Sequence, residues 1–245
     1  MTATTNRAAD AQIRPRPSDA PRPPLPSTFA CKVTMAVTGW VFAAFVAVHM
    51  VGNLKAFAGA ASYNSYSHWL RNALYPLLPH EGLLWILRVV LAVSLVLHVG
   101  ASAVLWARGR RFRGPHRRRA YSAWGARTMP WTGLILLAFV VFHLLDLTLG
   151  IAGPVTYQAA TATESFAFQN TVASLSRPLA GGFYLASMLA LALHLAHGLW
   201  STTSDLGVTG HRTRAAWLIV AYALAVAVAL GNASLPIAVW LGVLA

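Results

Sequence analysis

The sequence predicts an all-α membrane protein that crosses the bilayer five times, with its N-terminus in the cytoplasm. Hydrophobic residues make up 57% of the 245 positions and charged residues only 10%. The mean hydropathy of +0.56 is far above that of a water-soluble domain of this length. Five apolar stretches are each long enough to span a bilayer, which takes about 20 residues of helix. Most basic residues lie in alternate connections between these stretches, which predicts the orientation.

Residues 1–30 are predicted to form a disordered cytoplasmic tail ahead of a membrane domain at residues 31–245. The tail contains six prolines and four arginines but no apolar core. A signal peptide needs a hydrophobic centre, so this class of segment is excluded. Cys31 is the single cysteine of the chain, which excludes an internal disulfide. We interpret it as a small residue at the start of the first helix.

Continuous apolar runs predict the five transmembrane helices. A membrane β-barrel would show alternating hydrophobicity, so helices are the favoured way to satisfy the backbone in lipid. The predicted spans are residues 33–54, 83–106, 129–151, 181–200 and 215–241.

The positions of Lys and Arg predict which end of each span faces the cytoplasm. One side carries the basic residues of the tail up to Lys32, those of residues 108–127, and Arg212 and Arg214. The other side carries only Lys55, Arg71 and Arg177, with Arg88 slightly inside the second span. By the positive-inside rule, the N-terminus is cytoplasmic and the C-terminus lies outside. The formal charge of +13 does not indicate nucleic-acid binding, because membrane spans flank the main basic loop.

Histidines inside the spans are the main functional candidates. The chain has nine histidines, and five of them lie within the first four predicted spans. A polar ring in the bilayer is costly and usually faces the interior of a bundle. Counted from the flanking charges, His49 and His143 lie in the outer half of the membrane and His98 and His194 in the inner half. At the usual rise per residue, the two layers are about 10 Å apart.

Each layer brings together two histidines from non-consecutive helices, as axial ligation of a haem iron requires. The first four spans are therefore predicted to form a haem-binding four-helix bundle with two haems. We expect His49 and His143 to bind the iron of the outer haem. We expect His98 and His194 to bind the iron of the inner haem.

A repeat in the sequence supports this pairing. The first and third spans contain AFVAVH (44–49) and AFVVFH (138–143), and the second and fourth contain LVLH (95–98) and LALH (191–194). The bundle is therefore predicted to be two copies of one hairpin, related by an axis along the membrane normal.

Four further residues inside the spans allow two readings each. Gly39 and Gly133 each lie ten residues before a histidine, and they either make room for a flat macrocycle or allow close helix packing. Arg88 and Asp146 either pair with each other, or Arg88 holds haem propionates together with the other outer cations, Lys55 and Arg71.

Four segments carry a resemblance to a known family. They are KVTMAVTGWVFAAFVAVHMVGNLKAF (32–57), YNSYSHWLRN (63–72), HLAHGLWS (194–201) and DLG (205–207). Over roughly residues 31–240, the chain resembles the cytochrome b membrane-anchor subunit of succinate:quinone oxidoreductases and fumarate reductases (respiratory complex II), in its single-chain, five-helix, actinobacterial-like form. Carried over residue by residue, the family's haem ligands fall on His49, His98, His143 and His194. His197 is then a supporting or packing residue.

The resemblance implies partners and cofactors. A flavoprotein subunit oxidises succinate in the tricarboxylic acid cycle, and an iron-sulfur subunit docks on the cytoplasmic face. This chain then anchors both in the lipid of the bacterial cytoplasmic membrane and binds two haems b. It passes electrons to a quinone, either menaquinone or ubiquinone, and is not catalytic by itself.

The quinone site has several candidates. On the cytoplasmic side they are Arg127 and Trp131, where a cation and an aromatic ring meet the membrane interface. Trp131 is better explained as an interfacial anchor. On the outer side the candidates for binding quinone or propionate are Tyr63, His68, Arg71 and Arg88.

Three alternatives stay open at the level of sequence. A Rieske-like [2Fe-2S] centre in place of haem would take two histidines and two thiolates, and Cys31 supplies only one thiolate. The chain could be the haem b anchor of another quinone-linked dehydrogenase. A transporter, with Arg88 and Asp146 lining a path, is disfavoured because the spans lack paired Gly/Pro breaks in mid-membrane.

Overall fold

The computed structural model of the chain describes residues 26–111, 120–207 and 210–245. Most of the predicted tail, at residues 1–25, and residues 112–119 of the basic loop lie outside the described residues. The described ranges are all-helical and contain no β-strand. The helices are α1 (Thr28–Asn53), α2 (Ala60–Asn72), α3 (Gly82–Arg111), α4 (Ala120–His143), α5 (Ala167–Leu175), α6 (Pro178–Asp205) and α7 (His211–Trp240).

Five of these helices are long and apolar enough to cross a membrane, as the sequence predicts. They are α1, α3, α4, α6 and α7, and their apolar windows fall on the five predicted spans. α1 begins at Thr28, inside the predicted tail, because the Ser27 side chain accepts a hydrogen bond from the Ala30 N–H at 3.0 Å. The third helical span ends at Thr148, before residue 151, and Gly150 then takes a positive φ of 70° that favours glycine.

α4 ends in an unusual way, directly at a candidate histidine. His143 is its last residue, and a π-helical turn, Leu144–Thr148, follows at once. The N–H of Leu149 donates to the carbonyl of Leu144 at 2.9 Å, which is the five-residue spacing of a π-helix. Such turns are frequent at functional sites.

α6 is the central helix of the fold. It packs most extensively on α7 and also contacts α4 and α1, whereas α3 packs mainly on α1. Nine residues of α6 are buried, and α3 buries only Ser94 and Ala101. The two predicted hairpins, α1 with α3 and α4 with α6, therefore consist of helices in contact. α7 packs against α6 and α1. Its apolar residues include no histidine.

Small residues allow α1, α6 and α7 to pack closely together. A buried cluster in mid-span consists of Ala43, Leu195, Ala196, Leu199, Ala221, Ala225 and Val228. Small side chains let helix backbones approach closely, which is how helices associate in lipid.

Two short helices that the sequence analysis does not predict, α2 and α5, close one end of the molecule. They pack on each other and on the ends of the long helices. The Asn64 side chain of α2 accepts from the backbone N–H of Phe168 at 2.8 Å and donates to Gln169 at 2.9 Å. We call this the capped end. At the other end, which we call the basic end, Lys32 and Asp205 form an ion pair at 2.7 Å between α1 and α6.

Candidate functional site

The structure brings the four candidate histidines together as two facing pairs. The rings of His49 and His143 have centroids 5.9 Å apart, towards the capped end. The rings of His98 and His194 have centroids 6.4 Å apart, towards the basic end. We call these the outer pair and the inner pair. In each pair the two rings come from different hairpins, as the sequence repeat predicts.

A threonine of α1 orients the first ring of the inner pair. Thr38 is buried, and its hydroxyl lies 2.9 Å from Nδ1 of His98. The hydroxyl hydrogen is donated to the carbonyl of Thr34 at 2.7 Å. Because a hydroxyl has one hydrogen, its oxygen must accept from the Nδ1–H of His98. Nε2 of His98 then carries a free lone pair.

The second ring of the inner pair repeats this arrangement on α4. The buried Thr132 lies 3.1 Å from Nδ1 of His194. Its hydroxyl is within 3.1 Å of the carbonyl of Thr128, one turn earlier. Both inner histidines are therefore held as the tautomer whose Nε2 can bind a metal.

The glycines next to these threonines contact the same rings. A Cβ on Gly39 would lie 3.7 Å from Cε1 of His98, and one on Gly133 would lie 3.5 Å from Cε1 of His194. Both glycines therefore lie at the level of the inner pair. Ten residues of helix separate Gly39 from His49, so the two pairs are about 15 Å apart along α1. This spacing is larger than the one predicted from the flanking charges.

Phenylalanines of the repeated motif, AFVAVH (44–49) and AFVVFH (138–143), stack on the histidines of the outer pair. Phe45 stacks on His49 with a centroid distance of 5.4 Å, and Phe139 stacks on His143 at 5.6 Å. Each phenylalanine precedes its histidine by four residues, which places both on one face of a helix. The phrase AFVxxH therefore encodes a histidine together with the ring that packs on it.

A buried polar network lies behind His143. Nδ1 of His143 is 3.2 Å from the hydroxyl of Tyr184, which is 3.0 Å from the carboxylate of Asp146. Asp146 is fully buried and also accepts hydrogen bonds from Ser174 and Arg177. The sequence analysis missed Tyr184 and Ser174, because no local pattern shows which residues of α5 and α6 face the end of α4.

The suggested pairing of Arg88 with Asp146 is wrong. Asp146 pairs with Arg177, which follows α5 and reaches the π-helical turn from the side. Arg88 instead lies 3.2 Å from Glu81, which also pairs with Arg71, and its guanidinium lies over the Trp85 ring at 4.8 Å. Glu81 precedes α3 and therefore lies closer to Arg88 than Asp146 does.

The predicted outer quinone candidates make contacts within the cap. Tyr63 donates to Asn53 at 3.2 Å, and burial raises the pKa of its hydroxyl above the usual range. His68 lies 3.2 Å from the amide of Asn72 through Nε2. Arg71 pairs with Glu81.

The predicted cytoplasmic-side quinone candidates lie on the surface of α4. Arg127 is exposed. Trp131 is 69% exposed, one residue before the buried Thr132. The two candidates therefore face the surroundings of the chain rather than its interior.

His197 packs against α4 and is not part of either pair. A Cβ on Gly125 would overlap its ring, so α4 approaches α6 closely here. Its ring centroid is 6.0 Å from that of Trp200. These contacts fit the packing role that the resemblance implies.

Cys31 does not meet the histidines. Its Sγ lies 3.9 Å from the carbonyl of Pro26 at the start of α1, seven residues before Thr38. Among the residues that the structure describes, no group of three or more His, Cys, Asp or Glu side chains is close enough to share a metal ion. The His₂Cys₂ donor set of a Rieske-like centre is therefore not gathered in this part of the chain.

The geometry of both pairs fits an iron bound between two imidazoles. A metal held by two ring nitrogens, each about 2 Å away, places the ring centroids about 6 Å apart. The observed separations of 5.9 and 6.4 Å match this value. Two imidazoles at each level, with glycines against the inner rings, would suit a haem iron held between the rings.

Comparison with known proteins finds a relative of the chain. No family model matches the chain, and no solved structure matches it. The chain is similar to the succinate dehydrogenase cytochrome b558 subunit of Bacillus subtilis (strain 168), with 27% identity over 165 residues. The match covers 67% of this chain and 73% of that subunit. This similarity supports, at the level of the family, the resemblance carried by the histidine-containing segments.

Proposed function

We propose that this chain is the cytochrome b membrane-anchor subunit of a succinate dehydrogenase. In this role it passes electrons from an iron-sulfur subunit to a membrane quinone through two haems b with bis-histidine ligation. The observation that carries the proposal is the presence of two facing histidine pairs on helices suited to a membrane. The similarity to the Bacillus subtilis subunit supports the coarser statement, an anchor of succinate dehydrogenase.

The four histidines hold the cofactors in this proposal. Nε2 of each inner histidine is left free to bind the iron, since Nδ1 is bonded to a threonine. When bound, haem b supplies one-electron transfer at its iron. The two levels form a path between the ends of the membrane domain.

The basic end is the proposed docking side for the soluble subunits. By the positive-inside rule it is the cytoplasmic end, where the flavoprotein and iron-sulfur subunits of the bacterial enzyme would bind. Arg108 lies at this end, where it donates hydrogen bonds to the carbonyl of Pro26 at 2.6 Å and to the Thr28 hydroxyl at 3.0 Å. This leaves the inner histidine pair nearest to the incoming electrons.

Quinone is proposed to bind from the lipid near the inner pair. Arg127 and Trp131 are both exposed on α4 and therefore accessible from the membrane interface. The outer candidates Tyr63 and Arg71 are bonded to other residues of the cap. Either menaquinone or ubiquinone would serve as the electron acceptor.

Haem quantification of the purified complex tests the proposal. We expect two haems b per chain from the pyridine haemochrome, and a reduced-minus-oxidised spectrum with two components. Replacing His49 or His143 by Ala should remove chiefly the outer component, and replacing His98 or His194 the inner one. The matched control is His80→Ala, because His80 is exposed in the connection between α2 and α3.

Other results would point to the alternatives. A complex without haem, but with stoichiometric iron and acid-labile sulfide, would replace the haems by a Rieske-like [2Fe-2S] centre. Two haems without a co-purifying succinate-oxidising flavoprotein would assign the chain to another quinone-linked dehydrogenase. Retention of both haems in His143→Ala would contradict the pairing.

A further inference from the structure

We propose that Tyr184 and Asp146 are positioning residues of the outer pair, which hold His143 as the metal-binding tautomer and make it the more strongly electron-donating ligand. This inference rests on the proposed function, because it concerns the iron that His143 would bind. It adds a role for two residues that do not contact the iron.

The hydrogen positions follow from counting donors. Asp146 accepts from the guanidinium of Arg177, so its carboxylate is ionised and has no hydrogen to donate. The single hydrogen of the Tyr184 hydroxyl is therefore donated to Asp146 across 3.0 Å. The Tyr184 oxygen then accepts from Nδ1–H of His143 across 3.2 Å, which leaves Nε2 of His143 free for the iron.

Burial keeps two members of this chain of hydrogen bonds away from solvent. Asp146 is fully buried and Tyr184 is 8% exposed. In a medium of low dielectric, hydrogen bonds to a charged group polarise the neighbours that form the chain. The π-helical turn places Asp146 three residues beyond His143, facing α5 and α6. The network therefore joins three helical segments at the ligand.

Among the described residues, no charged side chain is bonded to the rings of the inner pair in this way. Its Nδ1 atoms bond to Thr38 and Thr132, whose hydroxyls donate only to backbone carbonyls. A carboxylate behind a ligating histidine raises the basicity of the imidazole, as in other metal sites. The more basic ligand stabilises the oxidised iron, which carries more positive charge. The two sites are therefore electronically different, and the difference originates at Asp146.

Tyr184→Phe is the decisive variant. It retains the ring and its packing but removes the hydroxyl that links His143 to Asp146. In a redox titration of the full complex, we expect the potential of the outer haem to rise. The expected shift is about tenfold in the equilibrium constant, or about 59 mV for one electron. Low-temperature EPR should show the same haem with altered g-values.

Two features of the chain serve as controls. Ser187, one turn after Tyr184 on α6, is also buried but donates to the carbonyl of Phe183 at 2.7 Å. Ser187→Ala should leave both potentials unchanged. The inner haem of the Tyr184→Phe protein is an internal control and should also stay unchanged.

Asp146→Asn is a second, stronger test. It keeps the size of the side chain but removes its charge, and it should move the outer potential in the same direction as Tyr184→Phe. Asp205→Asn removes a carboxylate from the ion pair at the basic end and is the matched control. If Asp146→Asn does not assemble, Tyr184→Phe decides the proposal alone.

The outcomes separate this inference from the proposed function. A wild-type complex without haem would overturn the proposed function and, with it, this inference. A wild type with two haems, and a Tyr184→Phe variant with both potentials unchanged, would overturn the inference alone. A lower melting temperature with unchanged potentials and g-values would make the network purely structural, which also overturns it.

Discussion

At the scale of single residues, small side chains orient the two rings of the inner pair. Thr38 and Thr132 each use their hydrogen within their own helix, which forces the oxygen to accept from a histidine. Each is followed by a glycine that lies against the same ring. The sequence contains this signal as VTG (37–39) and WTG (131–133). The two threonines were not among the site residues predicted from the sequence.

The double variant Thr38→Val, Thr132→Val should weaken the inner haem selectively. Loss of both Nδ1 partners leaves the rings free to rotate or to change tautomer, and such supporting partners are typically worth about 10–100-fold in metal affinity. Haem content after mild detergent washing, with EPR of the remaining haem, measures this effect. Thr202→Val is the matched control, since Thr202 donates only to the carbonyl of Leu199. Equal loss of both haems would contradict this role.

At the scale of helices, α5 shows how one short element depends on another. α5 begins after Phe166, which supplies no side-chain cap. Asn64 of α2 takes this role from a distance, because its amide oxygen accepts from the N–H of Phe168 at the second position of α5. Apolar periodicity does not predict such a helix, since its first turn is satisfied by a residue about 100 positions away.

Asn64→Ala should destabilise the capped end. A lost N-cap typically costs about 1 kcal/mol, and the bond to Gln169 is lost as well. We expect a lower melting temperature and faster hydrogen exchange at the start of α5, while the spectra of the bound haems stay unchanged. Ser176→Ala is the control, because Ser176 is exposed and bonds only to the carbonyl of Val172 in its own helix. Unchanged exchange at Phe168 would show that Asn64 does not cap α5.

At the scale of the whole molecule, the described charges fall unevenly between the two ends. Lys32, Arg108 and Arg127 lie at the basic end, and α6 and α7 meet near Asp205 on the same side. At the capped end, Arg71, Arg88 and Arg177 each pair with a carboxylate. The positive-inside rule counts Lys and Arg whether or not they are paired, so the basic residues at these helix ends keep a cytoplasmic basic end as the prediction.

Reporter fusions test this orientation. Alkaline phosphatase fused after Ala245 should be active and green fluorescent protein at the same site dark, because the C-terminus is expected outside. Fusions after Gly207, between α6 and α7, are the control and should give the opposite pattern. Activity of the phosphatase at Gly207 together with fluorescence at Ala245 would reverse the topology.

The sequence by itself determined the number of long helices and placed the four candidate histidines within the first four of them. Both depend on local quantities, namely the length of apolar runs and the cost of a polar ring in lipid. The repeat also indicated which hairpin each histidine comes from, because equivalent positions in two copies of a hairpin face each other across their axis.

Only the tertiary structure decided which polar groups stand behind those histidines. Tyr184 and Arg177 reach His143 and Asp146 from α6 and from the residues just before it. Their approach depends on how a π-helical turn rotates the chain and on how α5 packs, and neither leaves a periodic pattern in the sequence. The partner of a buried charge is chosen by distance in space, so the nearest guanidinium, rather than the one in a neighbouring span, pairs with Asp146.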